Sequence, residues 1–295
     1  MTEIHMDALL PAEMAARAET IGVRKAGMPF LQTFTLALMA GAFIALGAIF
    51  STTVAAGAGA VNTAEGAAAF TAALPYGLTR LLAGLAFSLG LILVVVGGAE
   101  LFTGNNLIVM AWANGRVSTG RLLRNWGIVY LGNFIGSVAT ALIMVMTRQY
   151  EFGRGAIGVA ALNTAVTKVN YDFVQALALG VLCNGLVCLA VWMCYSARST
   201  GDKIAAILFP ISAFVAAGFE HSIANMYFIP YALFIKDFDP GFVADLGARV
   251  TNLGSLTWTS FLLANLLPVT IGNILGGGVL VAAMYWSVYL RGKTD

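Results

Sequence analysis

The chain is written in long apolar blocks separated by short polar ones. A helix needs about 20 mostly apolar residues to cross a bilayer. Phe30 to Ala55, Leu81 to Ala99, Trp126 to Met146, Phe173 to Tyr195 and Trp258 to Leu290 each read as such a span. A sixth block, Ile204 to Ile235, is long enough but carries Glu220 and His221 inside it, so it reads as two half-helices. Asn106 to Ala113 reads as a similar short piece behind the second span. The last block is longer than a span requires, and tilt, extension beyond the bilayer or a kink at Pro268 would absorb the excess. Ahead of the spans, Met6 to Ile21 sets Leu9, Leu10, Met14 and Ile21 against Glu13, Arg17 and Glu19. That is the pattern of an amphipathic helix, either lying along the bilayer or acting as a plug or gate.

Composition agrees. Apolar residues make up 59% of the 295 residues and charged residues 10%, with a mean hydropathy of +0.85. A soluble domain carries about 25% charged residues. The net charge of +2 and the lack of a basic tract argue against nucleic acid as a partner. Cys183, Cys188 and Cys194 share one span without metal-ligand spacing, so packing is expected of them, and neither a metal site nor a cofactor is called for. Glu3, Asp7, Glu13 and Glu19 make the first 27 residues unlike a signal peptide.

Lys and Arg set the orientation. With six spans, one side holds Arg17, Arg24, Lys25, Arg116, Arg121, Arg124, Arg198, Lys203, Arg291 and Lys293. The other holds Arg80, Arg148, Arg154, Lys168, Lys236 and Arg249. Both termini are therefore expected in the cytoplasm of a multi-pass inner (plasma) membrane protein. The expected division is 1–27 for the cytoplasmic amphipathic helix, 28–290 for a single transmembrane domain and 291–295 for a cytoplasmic tail.

Three matches relate residues 28–148 to residues 171–290. Phe34-x6-Gly41 pairs with Phe173-x6-Gly180, Gly98-x-Glu100-x4-Asn105 with Gly218-x-Glu220-x4-Asn225, and Asn125-x6-Gly132-Asn133-x2-Gly136 with Asn265-x6-Gly272-Asn273-x2-Gly276. Three spans per half is an odd number, so the halves are inverted in the membrane, a recurring plan of transporters. The Gly-x-x-x-Gly spacing suits close helix packing, and Asn133 and Asn273 suit hydrogen bonds across it.

The two breaks put polar groups where lipid should be. Irregular backbone at membrane depth is tolerated only when buried in protein or lining a cavity, and ionisable groups there are functional candidates by default. Glu100, Asn105, Glu220 and Asn225 occupy equivalent positions and read as scaffold, the carboxylates accepting freed backbone N–H groups. His221 is different, because the first repeat has Leu101 in its place. Histidine ordinarily titrates near neutral pH, and a weak-acid anion beside it suggests proton transfer from His221, so that either the anion or the neutral acid crosses.

These residues resemble the formate/nitrite transporter family. The resemblance runs through Phe87-Ser-Leu-Gly-Leu, Glu100-Leu-Phe-Thr-Gly, Asn184-Gly-Leu-Val-Cys-Leu-Ala-Val-Trp-Met, Gly218-Phe-Glu-His-Ser-Ile-Ala-Asn-Met and Pro268-Val-Thr-Ile-Gly-Asn. It implies an all-α, aquaporin-like bundle of six spans, the second and fifth broken, assembled as a homopentamer with one pore per protomer. It implies passive or proton-coupled transport of small monovalent anions through the lipid bilayer. Formate is the first choice, nitrite or hydrosulfide the alternatives, and a neutral solute a weaker one. By the same resemblance His221 is the central histidine, Thr103 the broken-loop threonine, Lys168 the outer-vestibule lysine and Asn184 a pore-facing asparagine. Phe87, Leu91, Leu101, Phe102 and Phe214 are constriction candidates. No enzyme activity is expected: Ser222 adjoins His221, but neighbours on a backbone rarely make a nucleophile–base pair.

Overall fold

The computed structural model describes residues 8–56 and 74–292. Glu3, Met6, Asp7 and Lys293, invoked above, lie outside the described residues. The described chain is helical throughout, and six helices are long and apolar enough to cross a membrane. They are α2 (Phe30–Ala56), α3 (Tyr76–Gly97), α5 (Thr119–Met146), α7 (Phe173–Ser196), α8 (Thr200–Ala217) and α11 (Ser260–Tyr289). Between them lie α4 (Val109–Ala113), α6 (Ala156–Val169), α9 (Ser222–Phe238) and α10 (Pro240–Leu246), with α1 (Pro11–Gly27) in front.

Local chemistry starts and stops these helices. Ser118, Asp172 and Ser199 cap α5, α7 and α8 by accepting the N–H of Arg121, Gln175 and Asp202. Such caps satisfy N–H groups that the first helical turn cannot. Gly98 and Gly218 end α3 and α8 in the left-handed region, at φ +81° and +78°, where a side chain is strained. Pro268 does not break α11. The helix winds as π-helix over Ser260–Leu266 and again over Leu275–Ala283, and such widening absorbs a proline's missing donor.

The two inverted repeats are α2, α3 and α5 against α7, α8 and α11. In each, the first and third helices pack through glycine. A Cβ at Gly136 would overlap the Leu38 carbonyl, and one at Gly276 the Val181 carbonyl. These contacts correct the sequence alignment of the first spans. The Phe34/Phe173 match equates Leu38 with Leu177, but the structural equivalent of Leu38 is Val181, one helical turn further on.

Two elements depart from expectation. Helix α6 is too short to cross a membrane and was not anticipated, yet it buries Ala161, Leu162 and Ala165 in the bundle and carries Lys168 in its last turn. Helix α1 runs past Ile21 to Gly27 and packs one face on protein. Its small residues Ala15, Ala18, Gly22 and Ala26 are buried, and a Cβ at Gly22 would stand 3.1 Å from the Ala111 methyl. Its lysine, Lys25, reaches into the first break.

Candidate functional site

The breaks are built alike. Glu100 accepts from Lys25 Nζ at 2.7 Å and Asn105 Nδ2 at 2.7 Å. Glu220 accepts from Lys168 Nζ at 2.6 Å, Asn225 Nδ2 at 2.7 Å and Asn265 Nδ2 at 3.1 Å. Asn105 and Asn225 also donate to Asn125 Oδ1 and Asn265 Oδ1. The amides of Asn125 and Asn265 in turn hold the carbonyls of Lys25 and Lys168. A buried carboxylate needs a cation and full hydrogen bonding to offset its lost hydration, and each glutamate has both.

The expected partners of the glutamates were backbone N–H groups; side-chain amides and lysines take that place. The broken backbone is held instead by Asn133 and Asn273. Asn133 donates to the carbonyls of Ala37 and Glu100 and accepts the Phe102 N–H. Asn273 donates to the carbonyls of Gly180 and Glu220 and accepts the Ser222 N–H. Each asparagine splints the break to the first helix of its repeat. Sequence reading expected these asparagines to bond across the helix contact, as they do to Ala37 and Gly180, but missed their hold on the breaks and missed Lys25. The inverted counterpart of Lys168 is Lys25, hidden by the one-turn error in the first-span alignment.

The unshared residues meet at the centre. His221 Nε2 lies 3.0 Å from Thr103 Oγ1, both buried. His221 Nδ1 accepts the Ala224 N–H at 3.1 Å, which makes the imidazole the N-cap of α9. With Nδ1 occupied as an acceptor, the neutral ring carries its proton on Nε2 and donates to Thr103. The Thr103 hydroxyl hydrogen is then free to donate elsewhere. The Thr103 carbonyl accepts from Asn184 Nδ2 and Cys188 Sγ, each at 3.3 Å. The Asn184 amide also donates to the Asn273 carbonyl at 2.7 Å. In this structure Asn184 thus ties the first break to Asn273 of α11, the residue that splints the second, and lines neither of the cavities described next, where a pore-facing position was expected.

Two cavities approach this centre from opposite ends of the bundle. One, of about 300 Å³, is lined by the C-terminal end of α2, the start of α3 and the end of α8, and includes Arg80, Phe87, Lys168, Phe214, Glu220 and His221. The other, of about 380 Å³, is lined by α1, the start of α2 and the end of α3, and includes Arg17, Lys25, Leu91, Glu100, Leu101 and Lys203. Phe87 and Phe214 meet edge to face at 5.6 Å in the first, and the His221 ring stacks on Phe214 at 5.9 Å. Phe102 departs from expectation. It packs against Trp126 and Tyr130 and lines an outer groove between α5 and α11, apart from Leu91 and Leu101. Lys168, expected from the resemblance as the outer-vestibule lysine, sits in the last turn of α6 with a side chain only 13% exposed and Nζ 5.5 Å from the Phe228 ring centroid.

The fold and site together define a multi-pass membrane protein of two inverted repeats whose broken helices meet between two opposed cavities. Residues 12–287 match the family model described as "Formate/nitrite transporter". The chain belongs to the formate/nitrite transporter family. It is 46% identical over 286 residues to the protein named formate channel FocA of Escherichia coli (strain K12), covering 97% of this chain and 96% of that one. It is 41% identical to formate channel FocA of Haemophilus influenzae, covering 93% and 92%. Among solved structures it resembles one titled "Pentameric formate channel with formate bound", with a TM-score of 0.79, 46% identity and 89% and 98% coverage. A second, titled "FNT family ion channel", gives a TM-score of 0.74 at 27% identity.

Proposed function

We propose that this chain is a passive channel for small monovalent anions, with formate the principal substrate and nitrite or hydrosulfide secondary ones. It works as a homopentamer in the inner (plasma) membrane, with one pathway per protomer and both termini cytoplasmic, and makes or breaks no covalent bond in its substrate. The domain division of 1–27, 28–290 and 291–295 goes with this reading. The observation that carries it is the His221–Thr103 pair between two cation-bearing cavities.

An anion reaching Phe87, Phe214, Leu91 and Leu101 must shed most of its water, and these apolar walls cannot replace it. Two donors at the centre can. An entering carboxylate displaces Thr103 as the acceptor of the His221 Nε2–H and takes the Thr103 hydroxyl hydrogen as a second bond. Charge-assisted bonds of this kind are about twice as strong as neutral ones. The hydrogen-bonding pattern favours His221 as a donor and selectivity element over an imidazolium that gives up its proton, because protonation at Nδ1 would break the bond to Ala224. Passage as the neutral acid is the second arm of the test.

The experiment is flux into proteoliposomes of the purified protein, with formate, nitrite, hydrosulfide and glycerol across a pH series. Formate flux that exceeds glycerol flux and carries current is expected. Glycerol flux without formate flux overturns the reading, and electroneutral formate flux converts it to proton-coupled passage.

A further inference from the structure

We infer that Arg80 is a positioning residue for the outer constriction, holding Phe214 against Phe87 and so setting the largest anion that passes. This inference rests on the channel reading above. Helix α8 ends at Gly218 with the Phe219 N–H bonded to the Phe214 carbonyl and the Gly218 N–H to the Val215 carbonyl. No backbone donor reaches the Ala216 carbonyl across that turn. Arg80 does so from α3, through Nε at 3.2 Å, and its Nη2 also takes the Val215 carbonyl. A guanidinium offers two donors in a rigid fork, so it clasps two carbonyls in one geometry. It also places positive charge at a helix C-terminus, where the dipole favours it.

The clasp is aimed at the constriction. Val215 directly follows Phe214, and Phe87 lies two turns below Arg80 on α3. Gly84, between them, and Ser88, next to Phe87, form the contact with α8. A Cβ at Gly84 would stand 2.6 Å from the Ser212 carbonyl oxygen, and Ser88 Oγ lies 3.4 Å from Ser212 Oγ. The helices are thus pinned at Gly84–Ser212, and Arg80 fixes the free end of α8 beyond the pin. Without it, the end of α8 can move outward, and the edge-to-face contact of Phe87 with Phe214 opens. The first break has no such clasp among the described residues. Its helix end, Val94 to Gly98, shows only backbone bonds. The asymmetry matches that of His221, which also belongs to the outer cavity alone.

The test is the ratio of lactate to formate flux in proteoliposomes of the full chain. Arg80→Met is expected to raise that ratio about fivefold, within the range that one or two net hydrogen bonds command. Arg80→Lys, which keeps the charge but not the two-donor fork, should raise the ratio by less, about two- to threefold. Phe87→Ala should raise the ratio by itself, and the Phe87→Ala/Arg80→Met pair should raise it no further. An unchanged ratio in Arg80→Met, with both fluxes falling together, would reduce Arg80 to an attractor of anions and overturn the inference. A multiplicative effect in the double variant would do the same. If Arg80→Met does not assemble, Arg80→Gln, which retains one donor for one carbonyl, carries the same comparison. Failure of wild-type protein to pass formate would sink the channel reading instead, so the two failures are distinct.

Discussion

His221 Nε2 and Thr103 Oγ1 stand 3.0 Å apart across the junction of two inverted repeats, each at a position where the other repeat has an aliphatic side chain. Leu101 is the counterpart of His221, and Ile223 that of Thr103. The contact joins two polar side chains of the breaks that the repeat does not require.

The first prediction separates the two functions of His221. His221→Phe removes both the Nε2–H donor and the cap on Ala224. His221→Asn keeps a side-chain oxygen that can cap α9 but is too short to reproduce the donor. Formate flux should fall about tenfold or more in both, the cost of a charge-assisted bond. Thermal stability should fall only in His221→Phe, by about 1 kcal/mol. Flux and stability both intact in His221→Asn, with stability lost only in His221→Phe, would make the histidine a cap and nothing else.

Thr103→Val tests the second donor. Valine fills the same volume and leaves the Thr103 carbonyl bonds to Asn184 and Cys188 in place. Formate flux should drop by about three- to tenfold, one net hydrogen bond, with assembly unaltered on size exclusion. Equal flux in the variant would show that the hydroxyl does not meet the anion.

Much of this arrangement was legible because its chemistry is unusual for a membrane. Glutamate, histidine and asparagine inside apolar blocks stand out against leucine and alanine, and the Glu100/Glu220 and Asn133/Asn273 correspondences followed from fixed spacing. What failed has physical reasons. First spans made of Ala, Leu and Phe carry little register information, so a match one turn off looked as good as the true one and concealed Lys25. Helix α6 is apolar but short, and length was the criterion for a span. The placements of Asn184 and Phe102 depend on rotation about a helix axis and on irregular backbone at a break, which spacing alone does not determine.

The lysine–glutamate pairs should behave as buried pairs. Glu220→Gln leaves the Lys168 ammonium, 13% exposed, without its counter-charge, and removal of one partner of such a pair costs about 3 kcal/mol. Lys168→Met/Glu220→Gln removes both charges and should recover most of that loss. The Lys25–Glu100 pair, whose lysine is 25% exposed, should show a smaller coupling in the same cycle. Detergent unfolding curves for the four proteins of each cycle measure it. Additive effects at Lys168–Glu220 would contradict the pairing.

A methyl group at Gly277 should damage the centre from a distance. It would overlap Asn184 Nδ2 and stand 2.7 Å from Cys188 Sγ, the two groups that hold the Thr103 carbonyl. Gly277→Ala is therefore expected to cut formate flux about as much as Thr103→Val or more, since displacing a reacting contact by about 1 Å is costly. Gly127→Ala, at a site with open space around it, serves as the control and should leave flux unchanged. Flux in Gly277→Ala equal to the control would remove Asn184 from the chain of support.

Outside the membrane, the turn after α9 carries a carboxylate whose titration has a defined sign. The Phe242 N–H, Tyr150 hydroxyl and Arg148 guanidinium all face Asp239, and the first two hold its carboxyl below the usual range, with burial opposing them weakly. A depressed carboxylate contributes stability that is present above its unfolded value of about 3.9 and is lost as pH falls through the folded one. Protection of the Phe242 amide against hydrogen exchange, corrected for intrinsic rate, should therefore decline between about pH 5 and about pH 3. Asp239→Asn can still cap α10 through its side-chain oxygen but does not titrate, so its protection should be lower at pH 5 and flat across the same interval. Parallel pH profiles in the two proteins would mean that another group governs this turn. Tyr150→Phe discriminates further, because removing one donor to Asp239 should move the midpoint of the decline upward without abolishing it.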